Sequence, residues 1–341
     1  MAAPQNIEVL STVPFPEAIM QRLRGLTPRI KITLNPAQKT DDIPVEIWKR
    51  TEVLYTDILI PEAELVPNLK WVQFHYAGVD FVEGSSLLNN KGLQITSMSG
   101  ASAVQEGEYI LMMLLGLGHH LPDVALNQVK KEWRQDRWEK FTPNELNGST
   151  VGLVGYGSIG REVARLLQPF KVKVLASKRD VMHPVDNGYV LEGYGDPDGN
   201  YFHRLYPNEA LKSMLKECDF VVISLPLTPD TRGSFGEEEF KAMKPGAFLI
   251  HVSRGGIVDE NALLQALNEK RIAGAAIDVF LQEPLPPNHP LWKAPNVILT
   301  PHVSGFSPKY KERAGEMFAE NLKRYLHGEP LMNQYDPERH Y

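Results

Sequence analysis

The chain of 341 residues contains one cysteine, Cys218, so it cannot form a disulfide bond within itself. Its N-terminal residues lack the charged segment and apolar core of a secretory signal, and a reducing compartment, most simply the cytoplasm, is therefore expected. The most apolar stretch, residues 109–117, is far shorter than the roughly 20 residues that cross a bilayer. The 36 basic and 42 acidic residues leave a formal charge of −6 without a long basic run. The sequence therefore predicts a protein that binds neither membranes nor nucleic acid.

The length and the composition indicate two folded units. A chain of 341 residues is more than twice the usual domain size of about 100–150 residues. With 43% hydrophobic and 23% charged residues, the composition is that of an ordinary globular protein.

Short apolar runs alternate with amphipathic stretches along most of the chain. This alternation predicts parallel strands joined by right-handed helical connections, with helices on both faces of the sheet. The predicted helices are 17–26, 105–118 and 159–167, and the predicted strands are 7–10, 53–60, 69–74, 149–154, 173–176, 220–223, 248–252, 274–278 and 297–299. The fold class is thus α/β, with a doubly wound parallel sheet.

Two stretches depart from this alternation. Residues 181–206 show no periodicity and are predicted to be an inserted loop, whereas the polar and aromatic tail from Gly328 is predicted to pack back onto the N-terminal unit. Within the insertion, Asp196-Pro197-Asp198-Gly199-Asn200 resembles a calcium loop, but Gly199 comes too early and Pro207 stands where a bidentate carboxylate is needed. No metal site is therefore expected.

A glycine-rich turn follows the strand that ends at Val154. Its residues, Gly155, Tyr156, Gly157, Ser158, Ile159 and Gly160, match the fingerprint of dinucleotide-binding proteins, with a strand before them and a helix after. The glycines permit a tight turn, close approach of a pyrophosphate, and close packing of helix on strand, while the helix N-terminus offers free amides to the phosphates. The turn predicts a nicotinamide dinucleotide cofactor.

The residues after the next strand favour NADP(H) over NAD(H). An acidic residue normally binds the ribose 2′-hydroxyl of NAD about 20 residues past the glycines, but here Ser177, Lys178 and Arg179 precede the first carboxylate, Asp180. Serine, lysine and arginine can donate hydrogen bonds to a 2′-phosphate. NAD(H) stays possible, because a solvated basic pair at a strand end is the alternative interpretation.

Three polar segments follow apolar strands further along the chain. They are 251–256, 278–284 and 300–305, and they contain Arg254, Glu283 and His302. Because the carboxyl ends of parallel strands face the ligand crevice, we expect these three side chains to converge there. An arginine can bind a carboxylate, and a histidine can exchange a proton near neutral pH.

The full pattern resembles the D-isomer-specific 2-hydroxyacid dehydrogenase family over nearly the whole chain. The resemblance rests on Tyr76-Ala77-Gly78-Val79-Asp80, on Gln105-Glu106-Gly107-Glu108-Tyr109, on the glycine turn and on the three polar segments. It implies a discontinuous, flavodoxin-like α/β substrate domain, residues 1–118 and 307–341, and a Rossmann cofactor domain, residues 119–306. Periodicity alone does not show that division.

The resemblance also implies roles for single residues in the NADPH-dependent reduction of a small anionic 2-keto acid to its D-2-hydroxy acid. Arg254 would bind the substrate, His302 would be the acid, and Glu283 would orient the imidazole and favour its charged form. Tyr76, Ala77, Gly78 and Val79 would bind the substrate carboxylate, and Asp278 would bind the nicotinamide carboxamide. Further implied cofactor contacts are Gln105, Ser224, Leu225, Pro226, Thr231, Val252, Ser253, Arg254, His302, Ser304 and Gly305.

Related functions stay open as alternatives. Formate dehydrogenases of the family carry Gln where this chain has Glu283, which favours keto-acid reduction here. A cofactor-sensing binding protein similar to the C-terminal-binding co-repressors retains the same Arg, Glu and His, and phosphite oxidation is a third candidate. Glyoxylate, hydroxypyruvate and sugar-derived keto acids are the candidate substrates.

Several positions depart from the pattern of the family. Ser224 stands where many NAD-using members have His, and His251 stands where Asn is common. The insertion 181–206 directly follows the basic pair, and we expect it to cover the adenosine end of the cofactor. Trp133 and Trp138 lie where the family builds a dimer arm, which predicts a homodimer, although both may equally be local packing anchors.

Overall fold

The computed structural model describes residues 6–186 and 188–341, so residues 1–5 of the predicted substrate domain and residue 187 of the predicted insertion lie outside it. The chain forms two compact units. The first contains the residues up to Ser102 together with Ser307–Tyr341, and the second is the continuous stretch Ala103–Phe306. The boundary between residues 306 and 307 is the same as in the prediction. The other boundary lies between residues 102 and 103, whereas the sequence predicted it between residues 118 and 119.

The first unit is a five-stranded parallel sheet with helices. Its sheet order β2-β1-β3-β4-β5 is the flavodoxin-like arrangement. Its elements are β1 (Ile7–Ser11), α1 (Glu17–Gly25), β2 (Ile30–Leu34), α2 (Val45–Arg50), β3 (Val53–Thr56), β4 (Trp71–Phe74) and β5 (Gln94–Thr96), and the C-terminal helix of the chain, Tyr310–His327, with short 3-10 helices at Thr40–Asp42, Ala63–Leu65, Asp80–Val82 and Ser86–Asn89.

The second unit is a seven-stranded parallel sheet with helices on both faces. Its elements are α3 (Ala103–Gly118), α4 (Leu121–Lys130), α5 (Arg137–Lys140), β6 (Thr150–Val154), α6 (Ser158–Leu167), β7 (Lys173–Ser177), β8 (Arg204–Tyr206), α7 (Leu211–Leu215), β9 (Phe220–Ile223), α8 (Glu237–Ala242), β10 (Phe248–His251), α9 (Glu260–Asn268), β11 (Gly274–Ile277) and β12 (Val297–Leu299), with 3-10 turns at Gln168–Phe170, Asn208–Ala210 and Pro290–Lys293. The helix Tyr310–His327 is accordingly α10. The sheet order β12-β11-β10-β9-β6-β7-β8 is that of a Rossmann fold.

Strands β9, β10 and β11, in the interior of the second unit's sheet, are buried on both faces. In β9, Phe220 and Val222 belong to one apolar cluster and Val221 and Ile223 to the other, as the alternation of side chains along a strand requires. One cluster includes α3 and α6, and the other includes α7, α8 and α9. This is why the strands appear in the sequence as continuous apolar runs.

Helix α3 packs within the second unit, which explains the different domain boundary. Ile110, Leu114 and Leu117 are fully buried in the same cluster as α6. A Cβ at Gly107 would lie 2.8 Å from Cγ of Glu162 on α6, so the glycine permits the two helices to approach closely. By length and composition, no single helix among the described residues could cross a membrane, although α3 and α4 pass that test as a pair bent by 66°.

Sequence periodicity missed three short strands. β2 has exposed positions and β5 has only three residues, so neither shows the continuous apolar run of a central strand. The prediction that 181–206 is entirely loop was wrong at its end, because Arg204–Tyr206 forms β8 beside β7. β8 is a three-residue edge strand, too short to show a period.

The C-terminal tail packs back onto the first unit, as predicted. Gln334 pairs with Thr96 in an antiparallel bridge, and the amide of Ser97 donates to the carbonyl of Asn333 at 3.0 Å. The buried Asn321 of α10 fixes the tail further, because its side chain bonds both the amide and the carbonyl of Met332.

Candidate active site

The predicted site residues of the second unit lie at the carboxyl ends of its strands. Gly155 follows β6, Lys178 follows β7 and Ser224 follows β9, while Val252 follows β10 and Asp278 follows β11. Because all seven strands are parallel, these ends share one edge of the sheet. The unit therefore gathers the predicted cofactor and catalytic groups along that edge.

The glycine turn has the geometry that a dinucleotide requires. Gly155 has φ of 101°, in the left-handed region that favours glycine, and a Cβ there would lie 2.9 Å from the carbonyl oxygen of Ser224. At Gly160 a Cβ would lie only 2.4 Å from the carbonyl oxygen of Gly155, so helix and turn can approach only without it. At Gly157, by contrast, no described atom other than those of its chain neighbours comes within 4 Å of that position. Gly157 thus lies beside open space at the N-terminus of α6, where a pyrophosphate fits.

The insertion is anchored to this turn and to α6. Tyr156 donates its hydroxyl to the buried carboxylate of Asp196 at 2.6 Å, and Arg161 donates to the carbonyl of Asp196 at 2.5 Å. Glu162 accepts the amide of Gly195 at 2.7 Å. Arg161 is itself buried, and its guanidinium also contacts the Tyr156 ring, 4.9 Å from the centroid. These contacts fix part of the insertion beside the glycine turn, and the expectation that it covers the adenosine end stays a prediction.

The residues after β7 present two cations near the surface. Lys178 donates to the carbonyl of His183 at 2.6 Å, and Arg179 lies 3.7 Å from the carboxylate of Asp230 with its side chain 40% exposed. Asp180 is bonded to Nδ1 of His183 at 2.7 Å, and this hydrogen bond lowers the pKa of the carboxyl. Ser177, the last residue of β7, is buried. Asp180, the first carboxylate after β7, is therefore hydrogen-bonded to a residue of the insertion.

Asp278 is fully buried and organises the segment that carries His302. One carboxylate oxygen accepts the Thr300 hydroxyl at 2.6 Å and the Val303 amide at 2.9 Å, and the other accepts the Ser304 amide at 2.9 Å. Its backbone carbonyl accepts the His302 amide, also at 2.9 Å. Three donors compensate for burying the charge, which would otherwise cost several kcal/mol. The carboxylate therefore acts as a structural centre, besides its predicted contact with nicotinamide.

The His302 imidazole is paired with Glu283, as the sequence predicts for a catalytic acid. Nδ1 of His302 lies 2.7 Å from Oε2 of Glu283, whose other oxygen accepts the Phe280 amide at 2.9 Å. The two side chains keep 41% and 35% of their surface exposed. With Nδ1 held by the carboxylate, Nε2 is the nitrogen that can exchange a proton with a ligand.

His302 has a backbone conformation that is unusual for its side chain. Its φ is 53°, in the left-handed region, where a non-glycine residue costs roughly 1–2 kcal/mol. Such strain persists where the surrounding structure determines it, and functional sites are where it collects. Here the contacts with Asp278 and Glu283 determine it.

Arg254 follows β10 in a loop that is tied to its neighbour. The hydroxyl of the buried Ser253 accepts the Leu225 amide at 2.9 Å, and Thr231 donates to the carbonyl of Pro226 at 2.6 Å. The half-buried Arg254 donates to the carbonyl of Ser253 at 2.9 Å. The predicted Ser224–Thr231 and Val252–Arg254 segments are thus held together at the sheet edge.

Ser224 and His251, the two residues that depart from the expected pattern, have different environments. Ser224 donates to the carbonyl of Gly155 at 3.2 Å and so supports the glycine turn. His251, at the end of β10, is almost completely buried, and burial lowers its pKa to about 4. Its Nδ1 is one of the buried polar atoms of the described chain that lack a hydrogen-bond partner. His251 is therefore a neutral imidazole within the protein.

The predicted substrate residues lie in the first unit, after the carboxyl end of β4. Tyr76 is exposed, Ala77 and Gly78 are half-buried, and Val79 is buried. The preceding residue, His75, is buried beneath them, where Tyr55 bonds its Nδ1 at 2.5 Å and burial lowers its pKa to about 4. Within its unit, the loop therefore follows a buried residue whose side chain is held by a hydrogen bond.

Sequence reasoning missed several residues that support the site. Tyr109 of α3 bonds Thr300 at 2.6 Å, and the insertion is held by Asp196 and Arg161. A usable signal exists for Tyr109, which stands four residues after the predicted site residue Gln105 and so shares its helix face. Asp196 gives no such signal, because its role depends on where the irregular insertion folds.

The open space at Gly157, the N-terminus of α6 and the two cations after β7 suit a dinucleotide, which would supply a hydride when bound. Among the described residues, no group of three or more His, Cys, Asp or Glu side chains is placed to hold a metal ion. The chemistry available to the protein itself is acid–base transfer at His302 and anion binding at Arg254.

Comparisons with known proteins identify the family of the chain. Residues 111–304 match the family model described as D-isomer specific 2-hydroxyacid dehydrogenase, NAD binding domain. A glyoxylate reductase of Thermofilum pendens is 35% identical over 283 residues, which cover 81% of this chain and 78% of that protein.

Solved structures agree with this comparison over almost the whole chain. A D-isomer specific 2-hydroxyacid dehydrogenase from Xanthobacter autotrophicus, in complex with NADPH and MES, has a TM-score of 0.77 at 26% identity and covers 98% of this chain and 100% of that one. An NADPH-dependent glyoxylate/hydroxypyruvate reductase from Sinorhizobium meliloti, in complex with NADP and sulfate, has a TM-score of 0.74 at 26% identity, again covering 98% and 100%.

The glycine turn generates a paired prediction. Gly160→Ala should lower the free energy of unfolding by about 1–3 kcal/mol, because its methyl group would overlap the Gly155 carbonyl. Gly157→Ala should change it by less than about 0.5 kcal/mol, because its methyl group meets open space, yet weaken NADPH binding by crowding the pyrophosphate. Thermal unfolding and a fluorescence titration with NADPH measure the two effects. Equal affinities of Gly157→Ala and wild type would contradict the placement of the pyrophosphate.

Proposed function

Because the chain belongs to the D-isomer-specific 2-hydroxyacid dehydrogenase family and is an NAD(P)-dependent oxidoreductase, we propose that it uses NADPH to reduce a small 2-keto acid to the D-2-hydroxy acid. The observation that carries this proposal is the His302–Glu283 pair, 2.7 Å apart at the ligand edge of the Rossmann sheet. It provides an oriented proton donor at the edge of the sheet where the glycine turn also lies.

The protein's own groups divide the work of the proposed reaction. NADPH, when bound, would supply the hydride for C2 of the keto acid. Arg254 binds the carboxylate and polarises the carbonyl through its planar guanidinium. His302 donates the proton that the emerging alkoxide requires, and Glu283, bonded to its Nδ1, orients the imidazole for that transfer. In the oxidation direction the same imidazole accepts the proton.

The loop after β4, in the first unit, is proposed to bind the carboxylate of the substrate. The backbone amides of Ala77, Gly78 and Val79 are hydrogen-bond donors suited to a carboxylate, and Gly78 lacks the side chain that would keep a ligand away from the backbone. Tyr76 is exposed beside them and is available for a contact with substrate. A small anionic keto acid, such as glyoxylate or hydroxypyruvate, matches these donors, and a glyoxylate reductase stands among the relatives.

The preference for NADPH is supported by the residues after β7. Lys178 and Arg179 stand where an NAD enzyme of this fold normally has a carboxylate, and Asp180 is bonded to His183. Two solved relatives are described with NADPH or NADP. We propose that Arg179 contacts the 2′-phosphate, because a guanidinium binds phosphate through paired hydrogen bonds.

We also propose that the protein is a cytoplasmic homodimer. Trp133 and Trp138 are 82% and 76% exposed, and they adjoin α4, whose residues Leu121, Leu126 and Val129 are also exposed. Such a concentration of large exposed apolar side chains marks a protein interface.

The single Cys218 is buried, and burial raises its pKa to about 12, which suits a protein that uses no thiol chemistry.

The proposed activity predicts a pattern over substrates and cofactors. NADPH oxidation should occur with one or more of glyoxylate, hydroxypyruvate and sugar-derived keto acids, with higher kcat/KM than for NADH. Arg179→Ala should lower kcat/KM for NADPH by about 10- to 100-fold and leave that for NADH nearly unchanged, since a hydrogen bond to a charged group contributes about 1.5–3 kcal/mol. Arg271→Ala is the control, because both side chains are 40% exposed.

A wild-type preference for NADH in these assays would overturn the proposed cofactor. Binding of NADPH without turnover of any keto acid would favour the cofactor-sensing alternative.

His302 is predicted to act in the chemical step. His302→Asn should lower kcat by about 10²- to 10⁴-fold, the usual contribution of a positioned acid, with the Kd for NADPH within about twofold of wild type. Stopped-flow reduction and a fluorescence titration measure these quantities, with the exposed His327→Asn as control. Weakened NADPH binding together with an unchanged kcat would assign His302 to the cofactor instead.

The proposed interface predicts a change of oligomeric state. Wild type should sediment at about twice the monomer mass of 38.4 kDa, and the double variant Trp133→Ser/Trp138→Ser should shift toward the monomer. Trp292→Ser is the control, because it removes a tryptophan that is 54% exposed elsewhere in the second unit. A wild type that is monomeric at micromolar concentration contradicts the proposal.

A further inference from the structure

The segment that carries His302 is bonded at both ends to one helix. At its first residue, the Thr300 hydroxyl lies 2.6 Å from the hydroxyl of Tyr109, and at its last, the Gly305 carbonyl accepts the side-chain amide of Gln105 at 2.6 Å. Gln105 and Tyr109 are four residues apart on α3, so they share one face of the helix, one turn apart. Along the chain, His302 lies between these two contacts.

The hydrogen bond from Tyr109 has a defined direction. Thr300 has a single hydroxyl proton and donates it to the Asp278 carboxylate, 2.6 Å away, so Thr300 must accept from Tyr109. Tyr109 stays protonated and can act as a hydrogen-bond donor, because burial raises its pKa to about 12. The result is a chain of donors that runs from α3 through Thr300 to the buried charge of Asp278.

This chain ends on the atoms that hold His302 in its strained conformation. Asp278 accepts the amides of Val303 and Ser304 through its carboxylate and the amide of His302 through its carbonyl. A hydroxyl that receives a hydrogen bond is a stronger donor itself, so Tyr109 reinforces the bond from Thr300 to the carboxylate. The position of the imidazole therefore depends on a residue that does not touch it.

We propose that α3 positions the catalytic imidazole, with Gln105 and Tyr109 fixing the two ends of the Thr300–Gly305 segment. The proposal rests on the proposed function, in which His302 is the acid. It assigns Tyr109 as a positioning residue for that reaction. It also gives Gln105 a role in addition to the cofactor contact that the sequence predicts.

The test is a double-mutant cycle on the donor chain. Tyr109→Phe keeps the ring and removes only the hydroxyl, whereas Thr300→Val keeps the shape of the side chain and removes its hydrogen bonds. Tyr109→Phe should lower kcat about three- to tenfold, the effect of one lost hydrogen bond, with the KM for NADPH within twofold of wild type. The double variant should be no slower than Thr300→Val alone, because the hydroxyl of Tyr109 acts only through Thr300. Thr300→Ser should retain wild-type kcat.

A matched control separates positioning from general stability. Tyr325→Phe removes another half-buried tyrosine hydroxyl that donates to a side chain, here to Glu52 at 2.7 Å in the first unit. It should retain wild-type kcat. An equal loss of kcat in Tyr325→Phe and Tyr109→Phe, or additive effects in the cycle, overturns the proposal.

A second readout needs no turnover. With ¹⁵N-labelled histidine, the imidazole signals of His302, assigned by their loss in His302→Asn, should shift in Tyr109→Phe and stay unchanged in Tyr325→Phe. Unchanged His302 signals in Tyr109→Phe overturn the positioning role. If wild type reduces no keto acid while these signals shift as expected, the proposed reaction fails and the positioning of His302 by α3 stands.

Discussion

The buried carboxylate of Asp278 is the interaction on which the arrangement of the candidate catalytic groups depends. A charge with no solvent exposure is tolerated only where donors surround it, and here the donors are two amides and a hydroxyl of the segment that carries His302. The hydrogen bonds that this charge requires thus fix the path of the five consecutive residues from Thr300 to Ser304. An apolar side chain at this position would leave those two amides and the hydroxyl without an acceptor, so the conformation of the segment depends on this carboxylate.

The same principle explains how an irregular insertion can have a definite structure. Asp196 is buried, and its carboxylate accepts the hydroxyl of Tyr156 together with two backbone amides of the insertion. Arg161 supplies a buried cation beside it and donates to backbone carbonyls on both sides of the insertion. Buried charges that are hydrogen-bonded in this way take the place of the ladder of hydrogen bonds that orders strands. These hydrogen bonds join part of the insertion to the glycine turn and to α6.

Much of the fold could be predicted from the sequence, because buried parallel strands produce apolar runs and the glycine turn has a fixed spacing. The short edge strands β2, β5 and β8 could not, because partly exposed strands of three to five residues carry little periodic signal. The candidate acid and its partner were predictable as residues that follow strands. Asp196 was not, because its contact with Tyr156 spans 40 positions of the chain and no local pattern encodes it. For Tyr109 the sequence offers only the helix face shared with Gln105, and its contact with Thr300, 191 positions away, is known only from the structure.

The contact between Gln105 and Gly305 has a consequence for how the chain is assembled. These residues lie just inside the two points where the chain passes between the units, after Ser102 and before Ser307, and their bond of 2.6 Å brings the two ends of the second unit together. An inserted domain whose ends are adjacent imposes on its host little more than the entropy of closing a short loop. The second unit therefore has the geometry of an inserted domain, in which the chain enters and leaves at neighbouring points.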